Sequence, residues 1–220
     1  MNKSLTSRTV EAEEPDLVVV ATGAAPSHID LPGIDMPHVV DAWDVLSGSA
    51  PYIGKKIVII GGGATGCEAA LFIATMDTPT LESFGFLVFH EADDFDRLRN
   101  LLYKSGRRIT VVEIAEKLAS GMGNSTRWSL LKNLKQMGVE LRVKTRIVSI
   151  GEKGIVVETL TGTEIIDADT VIIAAGSKSR REFGQEMKDN GIGVIILGDA
   201  KEPRRILDAV REGFDEALKA

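Results

Sequence analysis

The sequence predicts an α/β protein built on a doubly wound parallel sheet, with an antiparallel β-meander set into one of its crossovers. Three observations carry that expectation. Short, continuously apolar runs end in glycine, as strands covered on both faces do. Helical periods alternate with them, which implies right-handed crossovers between parallel strands. Glycine is abundant, 22 of 220 residues, against a usual share of about 7%, while aromatic residues make up only 5%.

Taken along the chain, Met1 to Arg8 is polar and reads as a frayed start. Asp16-Leu-Val-Val-Val-Ala-Thr-Gly23 is the first strand, doubly covered by its continuous pattern. The stretch to Gly54 holds Pro26, Pro32, Pro37 and Pro51 and reads as a loop-rich crossing with a short helix from Asp41 to Leu46. Lys55-Lys-Ile-Val-Ile-Ile60 is a second strand, and Glu68 to Met76 continues as a helix.

Residues 77–106 carry two amphipathic stretches. Leu81, Phe84, Leu87 and Val88 recur at helical spacing behind Thr80, and Phe95, Leu98, Leu101 and Leu102 behind Asp93, each leading residue an N-cap candidate. Arg108-Ile-Thr-Val-Val-Glu113 is a third strand, Ser125 to Met137 a helix stopped by Gly138, and Val139 to Val143 the next strand. Residues 146–168 then break into three short runs at Gly151-Glu-Lys-Gly154 and Thr161-Gly162, the pattern of a meander. Thr170-Val-Ile-Ile-Ala-Ala-Gly176 and Gly193 to Leu197 are the last strands, and a helix with Pro203 in its first turn closes the chain. Val18 to Gly23 and Val171 to Gly176 echo one another, both ending in two small residues and glycine.

Composition narrows the function classes. With 44% hydrophobic residues and a mean hydropathy of +0.05 the chain can fill a sizeable core, in one or two domains by length. Twenty-six Lys and Arg against 32 Asp and Glu leave a net charge of −6, which argues against nucleic-acid or anionic-membrane surfaces. The single cysteine, Cys67, leaves no partner for an internal disulfide, a Cys-x-x-Cys centre or a cysteine-built metal or iron–sulfur site. No apolar run approaches about 18 residues and no secretory signal is visible, so a cytoplasmic location is expected.

The strongest chemical signal is Gly61-Gly-Gly63-Ala-Thr-Gly66. A bare G-x-G-x-x-G is weak, but here it follows an apolar strand and opens a helix, the setting of a Rossmann-like dinucleotide site. Gly61 permits the tight turn, Gly63 lets the backbone approach a pyrophosphate, and Gly66 lets helix and strand pack closely. Gly62, Ala64 and Thr65 complete the loop, whose free N–H groups and positive dipole end favour an anion. A glycine-rich turn without a ligand is the plain alternative.

The same fingerprint wants an acidic residue about 20 positions on, holding the ribose hydroxyls. Glu113 ends the next strand but lies 47 residues past Gly66; without the 29-residue stretch 78–106 the gap would be 18. The motif therefore reads as intact, with a helical hairpin inserted into it. A carboxylate there would repel a 2′-phosphate, so NAD(H) is expected over NADP(H). A solvated strand-end glutamate is the alternative. Glu68 is either a carboxylate facing the cofactor or a first-turn charge favourable to the helix dipole. Asp199, after the last strand, is either at a ligand-binding carboxyl end or a helix N-cap. Cys67 reads as a packed core thiol, His28 and His38 as solvated loop residues, and His90 as a helix-surface residue. The absence of a Tyr-x-x-x-Lys pair argues against a short-chain dehydrogenase.

Together these residues resemble the C-terminal FAD/NAD(P)-binding region of old-yellow-enzyme-related NADH:flavin oxidoreductases, the group of 2,4-dienoyl-CoA reductase, 2-enoate reductase and trimethylamine dehydrogenase, within the pyridine nucleotide-disulphide oxidoreductase superfamily. The resemblance runs from Glu14 nearly to the end. It rests on Ala21-Thr-Gly23, Leu31-Pro-Gly-Ile-Asp35, Val39-Val-Asp-Ala-Trp-Asp-Val-Leu46, Ile59 to Glu68, Val111-Val-Glu113, Ala168 to Gly176 and Leu197-Gly-Asp-Ala-Lys-Glu-Pro-Arg204, in that order.

It implies an NAD(H)-binding domain over 44–172 with the insert 77–106, flanked by two segments, 1–43 and 173–220, of a partial FAD-type domain. Thr22, Gly23, Gly198 and Asp199 would lie on the FAD side, with Gly176 on the NAD side and Glu68 near the nicotinamide. The family's FAD domain begins with its own G-x-G-x-x-G unit, and an N-terminal barrel carries FMN and an iron–sulfur cluster; neither is in this sequence. The chain is therefore expected to be part of a larger enzyme that reduces an unsaturated acyl or enoate-type substrate. Its partners would be that barrel domain or subunit and, as a further possibility, a second copy. The insert would either dock onto such a partner or cover its own edge of the sheet. A non-catalytic nucleotide-holding or docking module is the competing reading. No catalytic residue and no metal ligand set stands out.

Overall fold

A computed structural model describes residues 5–103, 105–160 and 162–219. The chain divides into two compact units, 28–176 and a second made of the segments before 28 and after 176. The borders expected at 43/44 and 172/173 both fall inside the first of these. The reason is that the edge strand over 39–41 hydrogen-bonds to the strand over 170–173, and Leu31 is buried in the same core.

The chain opens with α1 (Ser7–Glu13), capped by the Thr6 side chain, so Ser7 and Arg8 are helical where a frayed start was expected. Residues 1–4 lie outside the described residues. β1 (Val18–Val20) and β2 (Ala24–Pro26) follow.

Unit 28–176 begins with β3 (Val39–Asp41), a strand the proline-rich sequence hid, then α2 (Ala42–Ser47), whose first turn is capped by Asp41 Oδ1 accepting from Trp43 N at 2.7 Å. Next come β4 (Lys56–Ile60), α3 (Ala64–Thr75), α4 (Leu81–Phe89), α5 (Phe95–Leu101), β5 (Arg108–Val112), α6 (Asn124–Gln136) and β6 (Glu140–Arg142). The meander is β7 (Arg146–Gly151), β8 (Gly154–Thr159) and β9 (Gly162–Asp167), and β10 (Thr170–Ile173) returns to the main sheet.

That sheet is parallel throughout, in the order β3-β10-β4-β5-β6. Alternate residues explain why its strands read as unbroken apolar runs. Ile57, Ile59, Val111 and Ile172 face α2, α3 and α6, while Val58, Ile60, Val112 and Val171 pack against Ile150, Ile155, Val157 and Ile166 of the meander. Helices thus cover one face and the antiparallel sheet covers the other.

The insert forms the expected two helices, with details corrected. Thr80 caps α4, but Asp94 rather than Asp93 caps α5, accepting from Asp96 N at 3.0 Å; Asp93 instead pairs with Arg97. Of the residues expected to form the hairpin's interior, Leu98 is buried, Phe84 and Leu87 are half-buried, and Phe95 and Leu101 are exposed. Two short helices cannot enclose that much apolar surface between themselves. The insert is instead anchored at its base. Arg107, 19% exposed, donates through Nε to Asp77 at 2.9 Å and through Nη1 to the carbonyls of Ile53 and Gly54 at 2.6 and 2.7 Å. The two ends of the insert therefore meet at one guanidinium.

The other unit adds β11 (Ser177–Ser179), antiparallel to β2; α7 (Glu182–Asp189); β12 (Val194–Ile196), parallel to β1; a 3₁₀ turn Gly198–Ala200; and α8 (Ile206–Ala217). Val10, Val18, Val20, Met187 and Ala200 form its small core. Val19 is 55% exposed, so β1 is covered on one face only, contrary to its continuous pattern. Pro203 precedes the last helix instead of opening it. Asp199 Oδ1 accepts from Arg204 N at 3.2 Å, and the extended Arg205 is the N-cap, so the helix cannot start before Ile206.

Arg107→Ala is expected to lower stability by about 2 kcal/mol, because it strands two carbonyls and a carboxylate that a charged donor satisfied. Urea unfolding of the variant measures this; a midpoint equal to the parent's would show that the clasp is dispensable.

Candidate nucleotide site

The glycine-rich turn lies where β4 gives way to α3, and each of its glycines has its own reason. Gly61 has a φ of +106°, and a Cβ there would lie 2.3 Å from the Ala174 carbonyl oxygen. A Cβ on Gly66 would lie 1.9 Å from the Gly61 carbonyl oxygen, and one on Gly62 would strike Leu118 and the Cβ of Glu113. These three glycines are required by the packing itself. Gly63 is different: its backbone is extended at φ −66°, and a Cβ would meet nothing within 4 Å. Packing does not ask for a glycine there.

Gly61, Gly63, Ala64 and Thr65 line a cavity of about 560 Å³, with Glu113 and Gly176 also in its wall. That volume falls within the about 300–1,000 Å³ common for ligand sites. The N–H groups of the first helical turn have no partners within the helix, and no side chain caps α3 at Gly63. The cavity thus meets a helix start with free donors and a positive dipole end, suited to an anion.

Glu113 follows β5 directly. Its Oε2 accepts from Gly62 N at 2.7 Å and its Oε1 from Ala115 N at 2.8 Å. Both oxygens are held by the backbone, and each keeps a lone pair for a further donor. The fingerprint residues Gly61 to Gly66 and Glu113 are therefore brought together as expected, although the 29-residue stretch 78–106 lies between them in sequence.

Glu68 is exposed on α3, in the turn after Ala64 and Thr65 and beyond the first helical turn, so the first-turn dipole reading does not hold. Cys67 is fully buried under the turn, its Sγ 3.5 Å from the Gly62 carbonyl oxygen, and burial pushes its thiol up to about 11. It is a core thiol, as expected. His38, expected to be solvated, is half-buried, with an Nε2 that finds no partner among the described residues.

In the other unit, the Thr22 hydroxyl donates to the Arg180 carbonyl, and the Gly23 carbonyl accepts from Arg180 N at 3.0 Å. Gly198 is buried with φ +57°, its N–H donated to Glu212 Oε2 at 2.9 Å. Arg204 and that N–H hold the Glu212 carboxyl down to about 2. Asp199 sits in the 3₁₀ turn and braces the 199–204 loop, so it does not cap α8.

Sequence reasoning missed part of the cavity wall. Ile29, Asp30 and Leu31 reach it because Gly33, at φ +87°, lets the loop press onto β7: a Cβ would lie 2.1 Å from the Ile150 carbonyl oxygen. Arg146 and Ile147 at the start of β7 line it too. Leu31-Pro-Gly was visible as a motif, but nothing local linked it to the site.

A family model described as pyridine nucleotide-disulphide oxidoreductase matches residues 2–195. Among curated relatives, a metal reductase of Desulforamulus reducens is 38% identical over 202 residues, 92% of this chain and 30% of that protein. An NADH oxidase of Thermoanaerobacter brockii is 28% identical over 216 residues, 96% of this chain and 29% of that one. The chain thus spans about 30% of the length of these relatives. A solved structure of 2-naphthoyl-CoA reductase shares the fold, with a TM-score of 0.81, 22% identity, and coverage of 100% of this chain and 29% of its own. That likeness is one of fold.

Gly63→Ala is expected to change stability by less than about 0.5 kcal/mol, and Gly66→Ala to cost about 3 kcal/mol or more through forced overpacking. Thermal melts of the two variants check the contrast. Equal losses would mean that Gly63 is as much a packing residue as Gly66.

Proposed function

The chain belongs to the pyridine nucleotide-disulphide oxidoreductase family, that of flavin-dependent pyridine nucleotide oxidoreductases, and on that footing we propose that the cavity of unit 28–176 binds NADH for delivery of a hydride to FAD in a larger enzyme. The observation that carries this reading is Gly63. Packing explains the other glycines of the turn, whereas a Cβ on Gly63 would meet nothing within 4 Å, and its bare Cα leaves the cavity open to a diphosphate. Gly61, Gly63, Ala64 and Thr65 hold the diphosphate at the start of α3, and Glu113 accepts hydrogen bonds from the adenosine ribose. Gly176 borders the same space from the end of the β10 connection.

The nicotinamide supplies a hydride when bound. On the flavin side, Thr22, Gly23, Gly198 and Asp199 are the proposed contacts to the FAD ribityl chain, and Glu212 keeps the Gly198 turn in shape. The resemblance to 2,4-dienoyl-CoA and 2-enoate reductases implies an unsaturated acyl or enoate-type acceptor. The partner would be a barrel domain or subunit carrying FMN and an iron–sulfur cluster, in a cytoplasmic setting. FAD's own pyrophosphate anchor, a second glycine-rich turn, is not among these 220 residues.

Titration calorimetry on the 220-residue chain is expected to show NADH binding more tightly than NADPH, with Gly63→Val abolishing both because its side chain fills the diphosphate's approach. NADPH binding as tightly as NADH, or more so, would remove Glu113 from the ribose. Purified alone, the chain is expected to be colourless. A flavin absorbance band would overturn the placement of the FAD anchor outside it.

A further inference from the structure

We propose that Arg146 governs how strongly this cavity discriminates against a 2′-phosphate, so that the site admits NADPH as a second, weaker ligand; this rests on the nucleotide reading given above. Among the described residues, the charged ones in the cavity wall are Asp30, Glu113 and Arg146, of which Arg146 is the cation. Its backbone position is fixed against the ribose-binding acid. Thr145, buried at 4% exposure, donates its N–H to the Glu113 carbonyl at 3.0 Å, and its hydroxyl donates to the Val143 carbonyl at 3.0 Å. Arg146 is the next residue.

Its side chain is held elsewhere by an exposed ion pair. Nη1 lies 3.7 Å from Glu158 Oε2 across the β7–β8 pair, with side chains 70% and 55% exposed. An ion pair of that length and exposure contributes little, so the guanidinium can turn into the cavity at small cost. Among the described residues Arg146 forms its ion pair with Glu158 and not with Glu113, whose two oxygens accept from Gly62 N and Ala115 N.

The residue ending the second strand of a dinucleotide fold meets the adenosine 2′ position. A 2′-phosphate placed there meets the Glu113 carboxylate and is repelled. A guanidinium one residue from the segment that clamps Glu113 offers two parallel donors to the same phosphate. The wall therefore sets an acceptor for a 2′-hydroxyl beside a donor pair for a 2′-phosphate. Glu113 sets the preference, and Arg146 limits its size.

The test titrates the 220-residue chain, Arg146→Gln and Arg146→Lys with NADH and NADPH, and with 5′-AMP and 2′,5′-ADP, which isolate the 2′-phosphate from the nicotinamide half. Far-UV circular dichroism and melting temperature confirm that each variant is folded, as the exposed position leads one to expect. In Arg146→Gln the affinity ratio of NADPH to NADH should fall tenfold or more, with the same fall for 2′,5′-ADP relative to 5′-AMP. Arg146→Lys should keep part of both ratios, since a point charge replaces the planar fork. Ratios that stay within twofold of the parent overturn the inference. That holds if both members of a pair weaken together, which would put the guanidinium on the adenine face, and equally if neither changes. A parent that binds none of the four ligands would sink the nucleotide reading and this inference with it, whereas unmoved ratios in a chain that binds NADH sink this inference alone.

Discussion

The approach of α3 to the end of β4 is the constraint on which unit 28–176 depends. Helix and strand come so close at Gly66 that a single methyl group would lie 1.9 Å from the Gly61 carbonyl oxygen. Gly61 in turn presses against Ala174, at the end of the neighbouring strand β10. Three backbone segments thus meet without side chains between them. Because they do, the helix start points across the carboxyl ends of β4, β5 and β10, and Gly61, Glu113 and Gly176 border one space. Relaxing that contact would separate the donors at the helix start from the carboxylate beside them.

Electrostatics then refine what packing has assembled. The Glu113 carboxylate is oriented by Gly62 N and Ala115 N, so its charge is placed before any ligand arrives, and little reorganisation remains to be done on binding. A comparable device operates in the other unit, where Glu212 receives the Gly198 N–H and is surrounded by Lys201 and Arg204. In each case a carboxylate holds a glycine turn from outside, supplying the acceptor that the turn's own carbonyls cannot.

Much of this was legible in the sequence because the signals were local. The β4 run, the glycine turn and α3 are contiguous, and the apolar register of β5 made Glu113 recognisable despite the hairpin in between. What could not be read was set by contacts distant in sequence. β3 is a strand only because β10 lies beside it, and its proline-rich surroundings carry no strand pattern. Val19 belongs to as apolar a run as any in the main sheet, yet it is exposed, since β1 pairs among the described residues with β12 alone and is covered on one face. Pro203 looked like a helix opener, but the Asp199 hydrogen bond to Arg204 N delays the helix. Arg146 and Leu31 reach the cavity through the packing of a loop on the meander, for which no spacing rule exists.

The Arg107 clasp has a bearing on how the chain can be altered. Asp77 and Arg107 stand at the two ends of the α4–α5 hairpin and touch each other, so the hairpin leaves and re-enters the body through a single gate. What lies between them is, for the parallel sheet, a loop closed at its base by that contact. This is the geometry of a permissive insertion point. A reporter domain whose own termini lie close together could replace residues 78–106 while the strands to either side keep their register, provided that the clasp is retained.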